Sequence, residues 1–361
     1  MDPWRGRAPQ QRTVLESGFV QTDVMTGGQS LPAMQRLAVD AQAAGFSGLA
    51  VTEGGRTAYL QCAAAALAAP GLELSTAVAV AFPRSPMVTA QTAWELAEAS
   101  GGRFRLGLGT QVRAHIERRY GSTFDPPGPR MEEYVRAVRA CFAGFRGEPL
   151  SFDGKYTSMS LLPAMWSPGK IDQPDPLIDI AAVNPWMLRA AGRVADGVHI
   201  HPLNHPIYLR DIAGPEVAAG AAAAGREASA VDFIVPLFTV VGDSSEERAP
   251  WRAIARTQIA FYGSTPNYAF VFELIGRPGT TEAIRERQKA GDIAGMAAVI
   301  DDEILDHFVV EGNWSELATR IADRLGGVAR RVVFYMAGMA YSSNRGNFER
   351  LGAVARELRD V

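Results

Sequence analysis

The stretch Ser75–Tyr120, STAVAVAFPRSPMVTAQTAWELAEASGGRFRLGLGTQVRAHIERRY, decides the fold. Its first part, Ser75–Ala81, is short, apolar and β-branched, the pattern of a strand covered on both faces. Ser85-Pro86 supplies a helix N-cap and a proline for the first helical position. The helix Met87–Ala99 then runs to Gly101-Gly102, where glycine accommodates a left-handed C-terminal cap. Arg103–Leu108 reads as the next strand and ends in Gly109-Thr110. A basic segment with Arg113, His115, Arg118 and Arg119 follows. Two strands joined by one helix form a right-handed crossover. Such a crossover puts both strand-end loops on one side of a parallel sheet.

The same alternation extends along the chain. Strands are expected at Thr13–Phe19, Phe46–Val51, Leu177–Val183, Val198–His201, Phe233–Val241 and Arg331–Met336. Helices are expected at Leu31–Ala44, Ala58–Ala69, Pro129–Phe145, Trp186–Ala195, Ile207–Gly225, Ser244–Tyr262, Trp314–Leu325 and Phe348–Leu358. Leu150–Met159 reads as a hairpin around Asp153-Gly154, and Leu161–Pro176 as a long proline-rich loop. Residues 263–303 carry helical pattern without a strand. Eight strands with helices between them admit a doubly wound sheet or a closed (β/α)8 barrel. In 361 residues eight such units favour the barrel, an α/β TIM barrel with insertions at about 146–176 and 263–303. The whole of 13–361 then reads as one domain. Residues 1–12, MDPWRGRAPQQR, lack the apolar core of a signal peptide and read as a disordered lead-in.

Composition narrows the function classes. Hydrophobic residues make up 47% and charged residues 21% of the chain, with a formal net charge of −3. A general attraction to nucleic acid or membrane is therefore not expected, and any basic cluster is local. Cys62 and Cys141 are the two cysteines, which argues against a disulfide scaffold and suits a reducing cytoplasm. The longest apolar windows fall well short of a membrane span.

In a barrel, reactive groups sit on the loops after the strand C-termini. Glu53 stands at such an end, ahead of Gly54-Gly55; a carboxylate there is costly unless it is exposed or binds something. Gly107-Leu108-Gly109-Thr110 departs from a dinucleotide fingerprint, because Val112 occupies the third glycine position. It remains either a plain tight turn or a place where bare amides approach an anion. Asn184-Pro185 is either a stabilising helix start or a phosphate site at a helix N-terminus. The cluster around Arg113 is either a solvated face or a grip on a polyanionic cofactor tail or acidic substrate. His199 and His201 share one face of a strand. Structural histidines are the default for such a pair, ahead of a general acid or substrate donor, with metal binding last for want of further ligands.

Taken together, Ser75–Gly121, FDGKYTSMSLLPAMWSPG (152–169), IAAVNPWMLRAAGRVADGVHIHP (180–202) and FTVVGDSSEER (238–248) resemble the luciferase-like monooxygenase superfamily. The branch they look most like uses the deazaflavin coenzyme F420. The resemblance runs from about Leu31 to Met336. It implies a (β/α)8 barrel, often dimeric, that moves hydride to or from a bound deazaflavin or flavin. It assigns the loop Gly109, Thr110, Gln111 and Arg113 to the cofactor's phosphate and tail. Val183, Asn184, Pro185 and Trp186 match a second phosphate-binding turn. Ala77 and Val78 match a strand bulge that carries a non-prolyl cis peptide behind the ring.

Three positions depart from the family's pattern. The second phosphate turn is usually Gly-Pro, and here it is Asn184-Pro185. Where sugar-phosphate dehydrogenases of the family carry a histidine after the second strand, Gly54 stands; their acidic residue after the glycine turn is replaced by Val112. The expectation is a cytoplasmic, homodimeric F420-dependent oxidoreductase acting on a C=C or C=N bond of a small molecule, with Glu53, His199 and His201 as catalytic candidates. An FMN-dependent monooxygenase fed by a reductase, and a barrel that only binds a ligand, remain open alternatives.

Overall fold

The structure is a computed structural model that describes residues 20–325 and 327–360. The lead-in 1–12 and the strand expected at Thr13–Phe19 lie outside the described residues. In chain order the strands are β1 (Gln21–Thr26), β2 (Gly48–Val51), β3 (Glu73–Thr76), β4 (Ala79–Val80), β5 (Phe104–Gly109), β6 (Phe152–Asp153), β7 (Ser158–Met159), β8 (Leu177–Ala182), β9 (Gly197–Ile200), β10 (Asp232–Val241), β11 (Val309–Gly312) and β12 (Arg331–Phe334). Eight of them close a parallel barrel in the order β1-β2-β3-β5-β8-β9-β10-β12 and back to β1. The fold is the (β/α)8 barrel that the sequence leads one to expect.

Helices alternate with the strands on the outside. Leu31–Ala44 ends where Gly45 turns left-handed at φ 101° and returns its N–H to Ala41 and Gln42. Pro86–Ala99 begins with Ser85 Oγ accepting from Val88 N, as the Ser-Pro pair dictates. The hairpin β6–β7 is antiparallel. Its turn is pinned to the helix Pro127–Phe145 by Glu133, which accepts from Lys155 N and Tyr156 N at 2.7 Å.

The strand membership differs from the sequence reading in three places. The first barrel strand is Gln21–Thr26, whose alternation is broken by Asp23 on the interior face. The strand expected at Ser75–Ala81 is split into β3 and β4 around Ala77–Val78, whose peptide bond is cis. β10 outruns the barrel: Ile234–Leu237 pair with β12, whereas Phe238–Val241 pair with the unexpected β11. Helices between Pro266 and Phe308 stand on that extension and reach back over the barrel mouth.

The barrel interior is layered. At the N-terminal end lies a buried charge network. Arg105 donates to both oxygens of Asp179 (2.7 and 2.9 Å) and to Asp232 at 3.1 Å. Arg331 donates to Asp23, Glu73 and Gln21. Buried ions persist only when paired this closely. Space for them comes from glycine: a Cβ on Gly197 would stand 2.4 Å from Asp179 Oδ1. One layer up, Ala50, Ile234 and Val333 pack together with Met25 and Ala77. The next layer is the mouth.

Candidate active site

Each strand-end loop brings a different kind of group to the mouth. At the end of β2, Glu53 turns away from the opening. Its carboxylate takes both terminal nitrogens of Arg84 (2.5 and 2.9 Å) and the backbone N–H of Val80 at 2.7 Å. The side chain is 3% exposed. A carboxylate so occupied clamps the Ala77–Val80 bulge. The costly burial foreseen from sequence is offset by Arg84, 31 residues on.

Gly109 closes β5 directly under the bulge. A Cβ there would lie 2.5 Å from Val78 Cγ2, so the bulge and the glycine fit only each other. Beyond it Thr110 bonds to Gln111 O, and Gln111, at φ 57°, caps Val112 N with its own side chain. Asparagine-like residues tolerate this region, and a glutamine there marks a loop held by its surroundings.

Arg113 lies on the exposed part of this loop. It pairs with Asp125 and with Glu117 (3.1 Å) and lies over the Phe124 ring. Its charge is therefore partly answered within the loop. The neighbouring Arg119 donates to Gly54 O at 2.6 Å and ties the β5 loop to the β2 loop. Arg56 and Arg118, both exposed, have no ion-pair partner among the described residues, so they are the free positive charges of this rim.

At the end of β8, Asn184 is an N-cap. Its Oδ1 accepts from Met187 N at 3.0 Å and its carbonyl from Leu188 N. Pro185 has no N–H, which leaves Trp186 N as the helix-end donor without a partner among the described residues. Tyr208 Oη secures the preceding turn through Val183 O. Trp186 is exposed on one edge and packs on Gly128, under Arg193.

His199 and His201 do share the interior face. His199 sits level with Ile234 and Ala181. Its Nε2 is buried without a hydrogen bond, 3.6 Å from Asp179 Oδ2. Gly107 makes room for it: a Cβ there would lie 2.7 Å from that nitrogen and 2.0 Å from Thr76 O. Burial alone would raise the Asp179 carboxyl. The Arg105 guanidinium outweighs that effect, with His199 adding to it, and holds the carboxyl below its usual range.

His201 stands one layer higher. Leu203 N donates to its Nδ1 at 3.0 Å, which places the ring proton on Nε2. Burial pushes its pKa down to about 3, so it is a neutral donor. His205 is structural: it bridges Tyr208 N and Val271 O and is fully buried.

The sequence reading missed the aromatic wall beside His201. The rings of Tyr262 and Tyr268 each approach it to 4.6 Å between centroids. Tyr262 Oη is 2.5 Å from Tyr335 Oη, and Tyr335 rests on Phe238 at 4.6 Å. Tyr335 follows β12 directly, which was the available signal. The loop after β10 is carried off with β11, where Gly242 bonds to Gly312 and Arg248. Among the described residues no group of three His, Cys, Asp or Glu could hold a metal ion, and no helix is long and apolar enough to cross a membrane.

Comparison with known proteins places this geometry. Residues 13–331 match the family model described as luciferase-like monooxygenase. A protein of Mycobacterium tuberculosis with no stated activity is 36% identical over 309 residues, 84% of this chain and 91% of its own length. The 5,10-methylenetetrahydromethanopterin reductase of Archaeoglobus fulgidus is 30% identical over 276 residues, 74% of this chain and 77% of its length. Among solved structures, the coenzyme F420 dependent tetrahydromethanopterin reductase from Methanopyrus kandleri superposes with a TM-score of 0.73 at 20% identity. It covers 88% of this chain and 93% of that one. With the barrel, the bulge and the strand-end loops in place, the chain belongs to the luciferase-like monooxygenase family.

Proposed function

We propose that the chain is an F420-dependent oxidoreductase that moves hydride between the deazaflavin and a C=C or C=N bond of a small organic substrate, in one direction or the other. The observation that carries this reading is the division of the mouth into two unlike sides. The β2 and β5 loops present Arg56, Arg118 and Arg119 beside Gly54 and Gly55, whose backbones face open space. Opposite, His201 and its tyrosines are uncharged. A polyanionic tail suits the first side, and a flat apolar ring between the two suits the Val78 bulge and Gly109.

The residues present fit such a cofactor. Gly109, Thr110 and Gln111 would hold its polar chain, with Val183, Asn184, Pro185 and Trp186 at a phosphate. Ala77 and Val78 would back the ring. When bound, the cofactor supplies the hydride chemistry. The chain's own work is to hold the ring against the bulge, keep water from it, and offer a neutral donor at His201 Nε2. His199, below, fills the space over Gly107 and lies 3.6 Å from Asp179 Oδ2. The homodimer is part of the same proposal. Val39, Leu60, Leu67 and Val88 are exposed on three successive barrel helices, and light scattering would report the mass.

Titration of the purified protein with F420 and, separately, with FMN tests the reading. F420 should bind the more tightly, with an affinity that weakens as salt rises. Tight FMN binding with none for F420 would select the monooxygenase alternative, and failure of both would leave a barrel that binds another ligand.

A further inference from the structure

The uncharged side of the mouth has a chemistry specific enough to name a substrate class, given the hydride-transfer reading above. Three elements build it. His201 stands at the end of β9 and Tyr335 at the end of β12. Tyr262 comes from the last turn of the helix Ser245–Gly263, with Tyr268 just beyond. All four keep part of their surface exposed.

Their hydrogen bonds run in one direction. Tyr335 Oη donates to Gln258 Oε1 at 3.1 Å, so its single proton is spent there. In the 2.5 Å contact with Tyr262 the donor is therefore Tyr262. Both phenol protons point inward along this relay, and His201 Nδ1 is taken by Leu203 N. What remains for a ligand is two neutral donors, His201 Nε2–H and the Tyr268 hydroxyl, set among aromatic faces.

Among the described residues no ion pair or charged hydrogen-bond partner reaches His201, Tyr262, Tyr268 or Tyr335. The three lysines, Lys155, Lys170 and Lys289, lie on the hairpin, the loop after it and the helix Thr280–Lys289. None follows a barrel strand. An anionic group entering here would lose its hydration with no counter-ion in return. A flat, conjugated, uncharged group would stack on the rings and accept a hydrogen bond from His201 Nε2.

We propose that His201, Tyr262 and Tyr268 form the substrate site for the neutral, planar end of a conjugated carbonyl or imine, whose oxygen or nitrogen accepts from His201 Nε2. The hydrogen bond draws electron density toward that acceptor and thereby activates the conjugated bond. Phosphorylated sugars and free acids are excluded at this end.

A matched pair of probes tests it. Trans-cinnamamide and trans-cinnamate share one planar conjugated frame and differ in charge. Each is titrated into the full-length, cofactor-free protein and followed by intrinsic fluorescence. Cinnamamide should bind, and cinnamate should bind about tenfold more weakly or worse. His201→Phe, which keeps a ring and loses the donor, should weaken cinnamamide about three- to tenfold. Tyr268→Leu, at a partly exposed turn, should weaken it by a similar factor and guards against misfolding of the His201 variant.

Equal or tighter binding of cinnamate would overturn the proposal. So would unchanged cinnamamide affinity in variants with native circular dichroism. F420 titrated into Tyr268→Leu should bind as to the unaltered protein; joint loss of F420 and cinnamamide binding would reassign this wall to the cofactor. If F420 fails to bind the unaltered protein, the hydride-transfer reading falls, while the amide–acid comparison still decides the site.

Discussion

Asp179→Asn removes one charge from the base of the barrel and leaves the volume intact. Asp179 is fully buried, and both its oxygens accept from Arg105, at 2.7 and 2.9 Å. An amide keeps one acceptor and turns an NH2 group toward a guanidinium N–H. Breaking a buried pair from one side costs about 3–5 kcal/mol. Arg105 retains Asp232 at 3.1 Å, so the lower end, about 3 kcal/mol, is expected. Asp232→Asn, at a side chain 15% exposed, should cost about 1 kcal/mol. Urea unfolding followed by circular dichroism measures both. The pH dependence has a definite sign: Asp179 is held below its ordinary pKa of 3.8 in the fold. Its contribution is thus complete above that value and is lost progressively as pH falls beneath it. The gap between the unaltered protein and Asp179→Asn should be constant near neutrality and narrow below about pH 4. Equal losses for the two variants, or a gap that widens in acid, would refute the role given to this pair.

Gly107→Ala should destabilise by about 1–3 kcal/mol, because the new Cβ meets the Thr76 carbonyl, a backbone atom, as well as His199; thermal melts would show it. Asn184→Ala should cost about 1 kcal/mol and Asn184→Gly only a few tenths. The glycine variant also frees Met187 N, so it should bind a phosphate-bearing cofactor at least as well as the unaltered chain. Arg113→Ala should leave the melting temperature unchanged, since its pairs are exposed. At low salt it should weaken F420 binding less than Arg118→Ala, whose charge has no internal partner.

What could be read from the sequence was local. Leu31–Ala44 has the expected bounds because its stop signal, Gly45, is the next residue. The positions of Glu53 and His201 at strand ends follow from period and turn residues alone. Their roles depend on partners far along the chain. Arg84 claims Glu53, and His201 is enclosed by Tyr262, from the end of an expected helix, and by Tyr268, from a stretch that reads only as helical insertion. β1 was obscured for the same reason: Asp23 looks wrong in a strand until Arg331, 308 residues away, is placed beside it. β11, Val309–Gly312, is four residues long and includes Glu311, which Arg252 answers from the distant helix Ser245–Gly263. A short strand closed by an ion pair carries almost no periodic signal.

The layering of the barrel gives a final prediction. A buried charge network lies at its base, and the layer above is made of Ala50, Ala77, Ile234 and Val333. His199 is the polar group of that middle layer, and its 3.6 Å separation from Asp179 exceeds a hydrogen bond. No hydrogen-bonded chain therefore links the base to the mouth. The titratable groups facing His201 are Tyr262 and Tyr268, which burial keeps protonated, so neither supplies a charge that would favour imidazolium. With its pKa near 3, His201 stays neutral across the physiological range, and cinnamamide affinity should be flat between about pH 5 and pH 8. Stability should respond where affinity does not. The unfolded histidine takes up a proton near its ordinary 6.5, so this group's contribution is present above that pH and is lost as pH falls below it. His201→Phe should remove that part of the slope. An affinity that changes several-fold around pH 6.5 in the unaltered protein, and not in His201→Phe, would show that His201 titrates in the fold and that the wall is not neutral.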